Sequence, residues 1–280
     1  MTNRLAAHLT HWKVWYAVLA VLAMIAGSQV TVLAQLGPEG EASERLLTLL
    51  SPLPLIAGSL LGLALYALAA RRWPTVRDLG LAATLTRRDL GLIAAVFIVT
   101  HAFFWLLSLG HDDPNQAARL FEEMNLGQGL AADIAIVISA VIAAPVCEEL
   151  LYRGLLLRAV HDGLARRMAL GWATAIALLA SAAAFALPHL GDALLGRMGL
   201  AYLVTGLALG LVYVWTGSLT AVMVSHALQS CYAFGSILLF GRGDTAVSPL
   251  IYLIVFGCPL WVYLCARGLR AVLPKGEAPG

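Results

Sequence analysis

Charge is the scarcest property of this sequence. Asp, Glu, Lys and Arg make up only 12% of its 280 residues, whereas 60% of the residues are hydrophobic. Ordinary soluble domains carry about 25% charged residues. The composition excludes a chain made mainly of soluble domains and leaves little room for one beside a membrane-embedded part. We therefore predict a polytopic membrane protein.

Metal-binding and repeat signatures are also absent. None of the four cysteines lies in a Cys-x-x-Cys pair, and all lie in or at the ends of apolar segments, at Cys147, Cys231, Cys258 and Cys265. This pattern argues against a disulfide framework or a cysteine zinc site and predicts small buried side chains. The sequence contains no clear internal repeat, which argues against a transporter built from duplicated halves. The scattered basic residues form no nucleic-acid-binding pattern.

Long apolar runs are abundant, and eight are long enough to span a bilayer at about 20 residues each. They lack strict alternation, so we predict an all-α bundle of about eight transmembrane helices. The predicted spans are Trp12–Ala34, Leu49–Ala70, Leu90–Leu109, Leu130–Cys147 (with a continuation towards Val160), Ala169–Leu187, Met198–Trp215, Leu219–Phe240 and Ser248–Cys265.

The basic residues predict the orientation of these spans. Fourteen of the 18 Lys and Arg residues fall on one side of the alternating loops. The other four are Arg45, Arg119, Arg197 and Arg242. By the positive-inside rule the richer side is cytoplasmic, which places both termini in the cytoplasm. An even number of spans agrees with that placement.

Polar residues within the spans concentrate in the second half of the chain. We therefore predict one membrane domain with three parts. Residues 1–129 would form scaffold helices, 130–240 a catalytic helical core, and 241–280 the last transmembrane helix with a short cytoplasmic tail. The two longest predicted loops are Gly110–Gly129 and Arg71–Asp89.

Two adjacent acids, Glu148 and Glu149, follow an apolar run in the fourth span. Carboxylates in a membrane segment are costly unless they are paired or face a polar cavity. Glu149 precedes Arg153 by four residues, the favourable order for a helical ion pair, whereas Glu148 has no such partner. Separate environments for two neighbouring acids are typical of acid–base catalysis. The alternative is an ion pair that only holds helices together.

Two histidines on later spans are further candidates. His189 follows Phe185 by four residues beside Pro188, and an imidazole there could polarise water or bind a metal. Its alternative is a histidine at the membrane boundary. His226 lies about eight residues into its helix, with Ser230 one turn later. Its alternative is a hydrogen-bonded core histidine.

The remaining histidines in or near the spans are weaker candidates. We expect His101 to be a packed or interfacial residue, and His111 and His161 to lie in loops. In straight spans, the membrane depths of His189 and His226 would differ by roughly 18 Å at 1.5 Å per residue. We expect the segment Leu164–Trp172 to absorb this difference by lying partly along the membrane interface.

Taken together, Glu148-Glu149-x-x-x-Arg153, Phe185-x-x-x-His189 and His226 resemble the motifs of the CPBP family. This family contains the type II, glutamate-dependent CAAX prenyl proteases and the bacteriocin-processing Abi proteins. The resemblance covers 130–236. One position departs from the family pattern, because Ser230 stands where an asparagine is usual, and Gln229 could compensate.

The resemblance implies an intramembrane endopeptidase. Glu148 and His189 would activate a water, while His226 and Ser230 would stabilise the oxyanion. Glu149 and Arg153 would hold the base in position. Phe185 would bind substrate by lining its channel.

The resemblance also bears on metal dependence. One glutamate and two histidines could hold zinc, but the sequence lacks His-Glu-x-x-His. We therefore expect no required cofactor and no metal, with zinc as the disfavoured alternative.

The expected partners are the lipid bilayer and a membrane-associated protein or peptide substrate, with no nucleic acid. The expected location is a bacterial inner membrane. Two other functions stay open: a non-catalytic membrane scaffold or bacteriocin immunity protein, and a proton-coupled transporter that uses the acid and the histidines as a relay.

Overall fold

All regular secondary structure in the described part of the chain is helical. A computed structural model describes residues 13–28, 49–50, 52–81, 85–109, 115–189 and 197–275. The helices are α1 Val14–Ser28, α2 Pro52–Ala70, α3 Val76–Leu79, α4 Arg87–Ser108, α5 Gln116–Glu123, α6 Leu130–Ala165, α7 Leu170–Ala186, α8 Arg197–Thr216, α9 Leu219–Phe240 and α10 Pro249–Val272.

The protein is a multi-pass membrane protein. Six helices of the described chain, α4 and α6 to α10, are long and apolar enough to cross a bilayer, and α1 and α2 are shorter apolar helices. The all-helical prediction is therefore confirmed. The count of eight spans, the cytoplasmic location of both termini and the three-part division of the chain stay predictions. The end of the first predicted span, 29–34, lies outside the described residues.

Helix boundaries differ from the predicted spans mainly at α6. This helix continues to Ala165, so His161 is a fully buried helical residue and its predicted loop position is wrong. The apolar run continues past the acids through Leu155–Leu157, which keeps the segment helical. Arg153 and Arg158, assigned above to one membrane face, are likewise buried within α6. His111 lies outside the described residues.

Helix α6 lies at the centre of the bundle and contacts α1, α2, α7, α9 and α10. It is irregular, with π-helical turns at Ser139–Ala143 and Leu150–Leu157. The first turn precedes Pro145, which has no N–H and whose ring crowds the carbonyl one turn earlier, so an inserted residue relieves the clash. Such π-turns are frequent at functional sites. Here they flank the helical turn that carries both acids.

The turn between α8 and α9 lies inside the protein. This turn does not end in solvent: Ser218 and Leu219 are fully buried. The segment after α3 packs beneath it, with Leu219 N donating to Gly80 O at 3.0 Å. A Cβ on Gly80, whose φ is +76°, would meet the Gly217 carbonyl oxygen at 2.6 Å, so glycine is required there. Helix α9 therefore begins deep inside the protein.

The expectation that Leu164–Trp172 lies partly along the membrane interface stays a prediction. This segment consists of the end of α6, a short turn and the start of α7 at Leu170. Nothing in the sequence indicated that a short segment after α2 would pack against the start of α9.

The cysteines are free thiols, as predicted from their spacing. Cys147 and Cys258 are buried and Cys231 is partly exposed. Cys265 is exposed, so the prediction of burial is wrong for this residue. It lies near the end of α10, the last helix, on a face that no other described helix covers.

Candidate active site

Glu149 joins two helices through one oxygen. Its Oε1 accepts hydrogen bonds from Arg153 Nη1 at 2.8 Å and from His226 Nδ1 at 2.7 Å. Both Glu149 and Arg153 are 0% exposed. The predicted ion pair between them is confirmed. The bond from α6 to His226 on α9 was not predicted.

Arg153 also ties α6 to α8. Its Nη2 donates to the Gly206 carbonyl at 2.9 Å. Helices α7 and α8 approach so closely here that a Cβ on Gly206 would meet Ala182 Cα at 2.9 Å. Small residues allow such contacts between membrane helices. The guanidinium carbon lies 4.7 Å from the ring centroid of Phe185, a cation–π distance. These contacts fix the position of the Arg153 guanidinium, whose positive charge is paired with Glu149.

The hydrogen bond to Glu149 sets the orientation of His226. An ionised carboxylate only accepts hydrogen bonds, so Nδ1 carries the proton and Nε2 points away from Glu149. The His226 side chain is almost wholly buried, and its ring meets that of Phe185 edge-on, with centroids 5.7 Å apart. In the doubly protonated imidazolium, Nε2 is a hydrogen-bond donor as well.

His189 is held at the other side of Phe185. It lies in a single 3₁₀ turn, Leu187–His189, which ends α7 because Pro188 cannot continue the α-helical hydrogen bonds. Its Nδ1 donates to the Phe185 carbonyl at 2.9 Å. The ring stacks on Tyr202 of α8, with centroids 4.4 Å apart and planes 25° apart. In the neutral imidazole the proton is therefore on Nδ1, and Nε2 carries a lone pair that can accept a hydrogen bond.

Glu148 differs from its neighbour in both exposure and bonding. It is partly exposed, and no described residue forms a hydrogen bond or ion pair with it. Its carboxylate nevertheless lies within electrostatic range of the imidazoles of His226 and His189. The sequence predicted that one acid would be paired and the other left without a partner, and the geometry agrees. Glu148 thus lies within electrostatic range of two imidazoles that other helices hold in fixed orientations.

The positions of Phe185 and Ser230 do not by themselves establish the roles predicted for them. Phe185 is 2% exposed and packs among His189, His226, Arg153 and Tyr152. Its surroundings indicate a packing role, and its contact with substrate stays a prediction. Ser230 is partly exposed, one turn after His226.

Several buried polar atoms near the site have no hydrogen-bond partner among the described residues. They include Oε2 of Glu149, Nε of Arg153, Oγ of Ser225 and Nε2 of Gln229. Gln229 is 8% exposed and Ser225 fully buried, both on α9 beside His226. An unmade buried hydrogen bond is costly, so a polar group that came within reach of these atoms would be stabilised.

Sequence reasoning missed Tyr202 and Gly206. Tyr202 resembles any tyrosine in an apolar helix, and nothing in its spacing links it to a histidine across a segment that includes 190–196. A glycine in a membrane helix does indicate close packing. It does not indicate which side chain donates a hydrogen bond to the glycine carbonyl. Both residues are recognisable only once α8 is placed beside α7.

The site contains histidine and carboxylate side chains, which are residue types that can bind a metal. Among the residues that the structure describes, no group of three or more His, Cys, Asp or Glu side chains is arranged to hold a metal ion. Glu149 already accepts two hydrogen bonds and His189 uses Nδ1 for a carbonyl.

Comparison with known families supports the resemblance. Residues 130–232 match the family model described as type II CAAX prenyl endopeptidase, Rce1-like. All the candidate residues from Glu148 to Ser230 lie in this segment, which is a little over a third of the chain. The resemblance predicted from the motifs is confirmed over that length. Comparisons with curated proteins and with solved structures gave no match.

Proposed function

We propose that this protein is an intramembrane endopeptidase of the CAAX-protease-like kind, acting on a membrane-associated protein or peptide. The observation that supports it best is the placement of Glu148 within electrostatic range of two imidazoles that are fixed by other contacts. Hydrolysis of a peptide bond needs a general base and a donor for the developing oxyanion. The free acid and the two imidazoles supply both residue types.

In the proposed reaction Glu148 is the general base. It removes a proton from a water whose oxygen attacks the peptide carbonyl carbon. The same proton passes from Glu148 to the nitrogen of the leaving amine as the C–N bond breaks. The lone pair on His189 Nε2 accepts a hydrogen bond from that water and holds it in position. The stack on Tyr202 and the hydrogen bond to the Phe185 carbonyl fix the orientation of the His189 ring, and with it the direction of this lone pair.

His226 is the proposed oxyanion donor. With Nδ1 committed to Glu149, its Nε2–H can donate to the negative oxygen of the tetrahedral intermediate. Such donors typically contribute about 3 kcal/mol each. Glu149 and Arg153 therefore position His226 rather than Glu148, which changes the role first expected for them. Ser230 stays a proposed second donor.

We propose that the reaction needs no metal. What supports this is that no group of three or more His, Cys, Asp or Glu side chains among the described residues is arranged to hold a metal ion. The test is cleavage by purified protein after dialysis against a chelator. Unchanged activity is expected. Loss of activity that zinc restores would contradict the metal-free mechanism while leaving the hydrolase assignment intact.

The function itself is tested by identifying substrates. Membrane-protein C-termini are compared between cells that contain the wild type and cells that contain Glu148→Gln. The control is Glu123→Gln, which removes an exposed carboxylate of α5. New C-termini should be present with the wild type and with Glu123→Gln, and absent with Glu148→Gln. Removing a general base typically lowers the rate by about 10²- to 10⁴-fold.

The outcomes separate the three functional classes. Identical C-termini in all three strains, at equal protein levels, would contradict the protease. If a cellular phenotype then survives Glu148→Gln, a scaffold or immunity role is supported. If proton-coupled flux into vesicles is lost with Glu148→Gln, a transporter is supported.

A further inference from the structure

We propose that the cavity between the start of α1 and the end of α6 binds the phosphate of an anionic membrane phospholipid, with one acyl chain along the outer face of α1. This site lies away from the candidate active site. It does not depend on the proposed protease function.

The cavity has a volume of about 370 Å³. That volume lies in the range of small-ligand pockets. Its seven lining residues come from two stretches, 13–15 and 163–167. Three of them are basic: Lys13, Arg166 and Arg167. None of the seven is acidic, so an anion is the ligand that the charge favours.

The acid next to the cavity accepts hydrogen bonds from residues outside the cavity lining. Asp162 precedes the lining residue Gly163, but its side chain is fully buried and its two oxygens accept from Arg158 and His161. Both Arg166 and Arg167 are exposed, as is Lys13. Arginine matches the geometry of a phosphate group with paired N–H donors. Basic pockets between transmembrane helices are typical sites for anionic headgroups.

An apolar stripe continues from the cavity along α1. Trp15, Val18, Leu19 and Leu22 recur at helical spacing and are 53%, 40%, 44% and 55% exposed. The opposite face of α1 packs against α2 through residues such as Ala17 and Ala20, which are fully buried. Trp15 itself lines the cavity. Tryptophan prefers the boundary between headgroups and acyl chains, which places the cavity at headgroup level.

The cavity and the stripe together distinguish a lipid from a free anion. Inorganic phosphate would meet only the basic cavity. A phospholipid would meet the cavity through its phosphate and the α1 stripe through its acyl chain, so it should bind more tightly than phosphate alone. A zwitterionic lipid offers the same chain but carries a compensating positive charge.

The experiment measures thermal stabilisation and retained lipid in detergent-purified protein. The probes are dioleoyl phosphatidylglycerol, dioleoyl phosphatidylcholine and inorganic phosphate. Native mass spectrometry counts bound phosphatidylglycerol. The test variant is Arg166→Gln/Arg167→Gln. The matched control is Arg87→Gln/Arg88→Gln, another adjacent and exposed arginine pair, at the start of α4.

Phosphatidylglycerol should stabilise the wild type and the control, and neither other probe should match it. The test variant should bind it about 25-fold more weakly, at roughly five-fold for each cation removed. Equal binding by the test variant and the wild type would overturn the proposal. So would an equal loss in the control, which would indicate a general charge effect. Stabilisation by inorganic phosphate equal to that by lipid would reduce the site to one for a free anion.

Discussion

Two buried clusters, each of an acid, an arginine and a histidine, are built on helix α6, and α9 contributes the histidine of the first. One contains Glu149, Arg153 and His226. The other contains Asp162, Arg158 and His161. In the second cluster, Asp162 Oδ2 accepts from Arg158 Nε at 3.1 Å and Oδ1 accepts from His161 Nδ1 at 2.7 Å. All three of its side chains are at most 4% exposed.

The difference between the clusters is an additional acid. The second cluster uses both oxygens of its one carboxylate and buries them. The first pairs its arginine and histidine through a single oxygen of Glu149. It also adds Glu148, which is partly exposed and lies within electrostatic range of two imidazoles. Under the proposed function, the carboxylate left over after the structural pairing, Glu148, is what distinguishes the catalytic cluster from the one that only holds the fold.

Removing Asp162, the acid of the second cluster, should have the largest effect on stability. Asp162→Ala leaves Arg158 buried without its carboxylate, and breaking such a pair costs about 3–5 kcal/mol. The measurement is thermal unfolding in detergent, followed by helical content. Glu148→Ala should shift the midpoint far less, because its carboxylate has no described bond to lose. Similar shifts for the two variants would erase the distinction between the clusters.

Removing the imidazole nitrogens of His189 should have the next largest effect, on activity. His189→Phe keeps an aromatic ring against Tyr202 but removes the proposed water contact, so cleavage should fall by about 10²-fold or more.

His101→Phe is the matched control for this prediction. His101 also donates through Nδ1 to a carbonyl one turn earlier, at 2.9 Å, and also lies among aromatic rings. As expected from the sequence, it is a packed residue, and its replacement should leave the rate unchanged. Equal losses in both variants would mean that ring packing, not the His189 nitrogen, controls the rate.

The stack between Tyr202 and His189 should contribute a smaller effect. Tyr202→Ala removes the ring that orients the imidazole, and aromatic pairs are worth about 0.5–1.5 kcal/mol. We expect a fall in kcat of about 2- to 10-fold with little change in KM. Tyr202→Phe restores the ring and should recover most of the rate. No recovery with Phe would show that the hydroxyl, not the stack, matters.

The smallest effect concerns Asp78 beneath the α8–α9 turn, outside the spans. Burial alone would raise the pKa of Asp78, but hydrogen bonds from Thr75 and the nearby Arg72 charge outweigh it and lower the pKa. A lowered pKa in the folded state adds stability above the unfolded value of about 3.9, and this stability is lost as the pH falls through the folded pKa.

Asp78→Asn should therefore lower the unfolding midpoint slightly at pH 7 and reduce its decline on acidification. Unfolding midpoints of both proteins between pH 7 and pH 3 provide the check. An Asp78→Asn protein whose midpoint falls with pH as steeply as the wild type would contradict this account of the segment beneath α9.

The sequence predicted the helices and the Glu149–Arg153 ion pair for identifiable reasons. Apolar runs fix the existence of membrane helices, and α9 has the predicted bounds Leu219–Phe240. The spacing of Glu149 and Arg153 was enough to predict their ion pair. Both features depend only on residues within one helical segment, so the sequence of that segment is enough to predict them.

The contacts between helices could not be predicted in the same way. The bond from Glu149 to His226 spans 77 residues of sequence. It depends on the buried start of α9, which rests on Gly80 from a distant loop. The burial of His161 likewise depends on how far α6 continues and on which helices surround it. No pattern within a single segment carries that information.

The central claim is that Glu148 is the base of a hydrolytic site. The most direct measurement is the cleavage rate of a substrate found by C-terminal comparison, using purified wild type and Glu148→Gln reconstituted in liposomes, with thermal unfolding measured on both. The account predicts a rate lower by at least about 10²-fold and an unfolding midpoint close to that of the wild type. A Glu148→Gln protein that cleaves at the wild-type rate would contradict it.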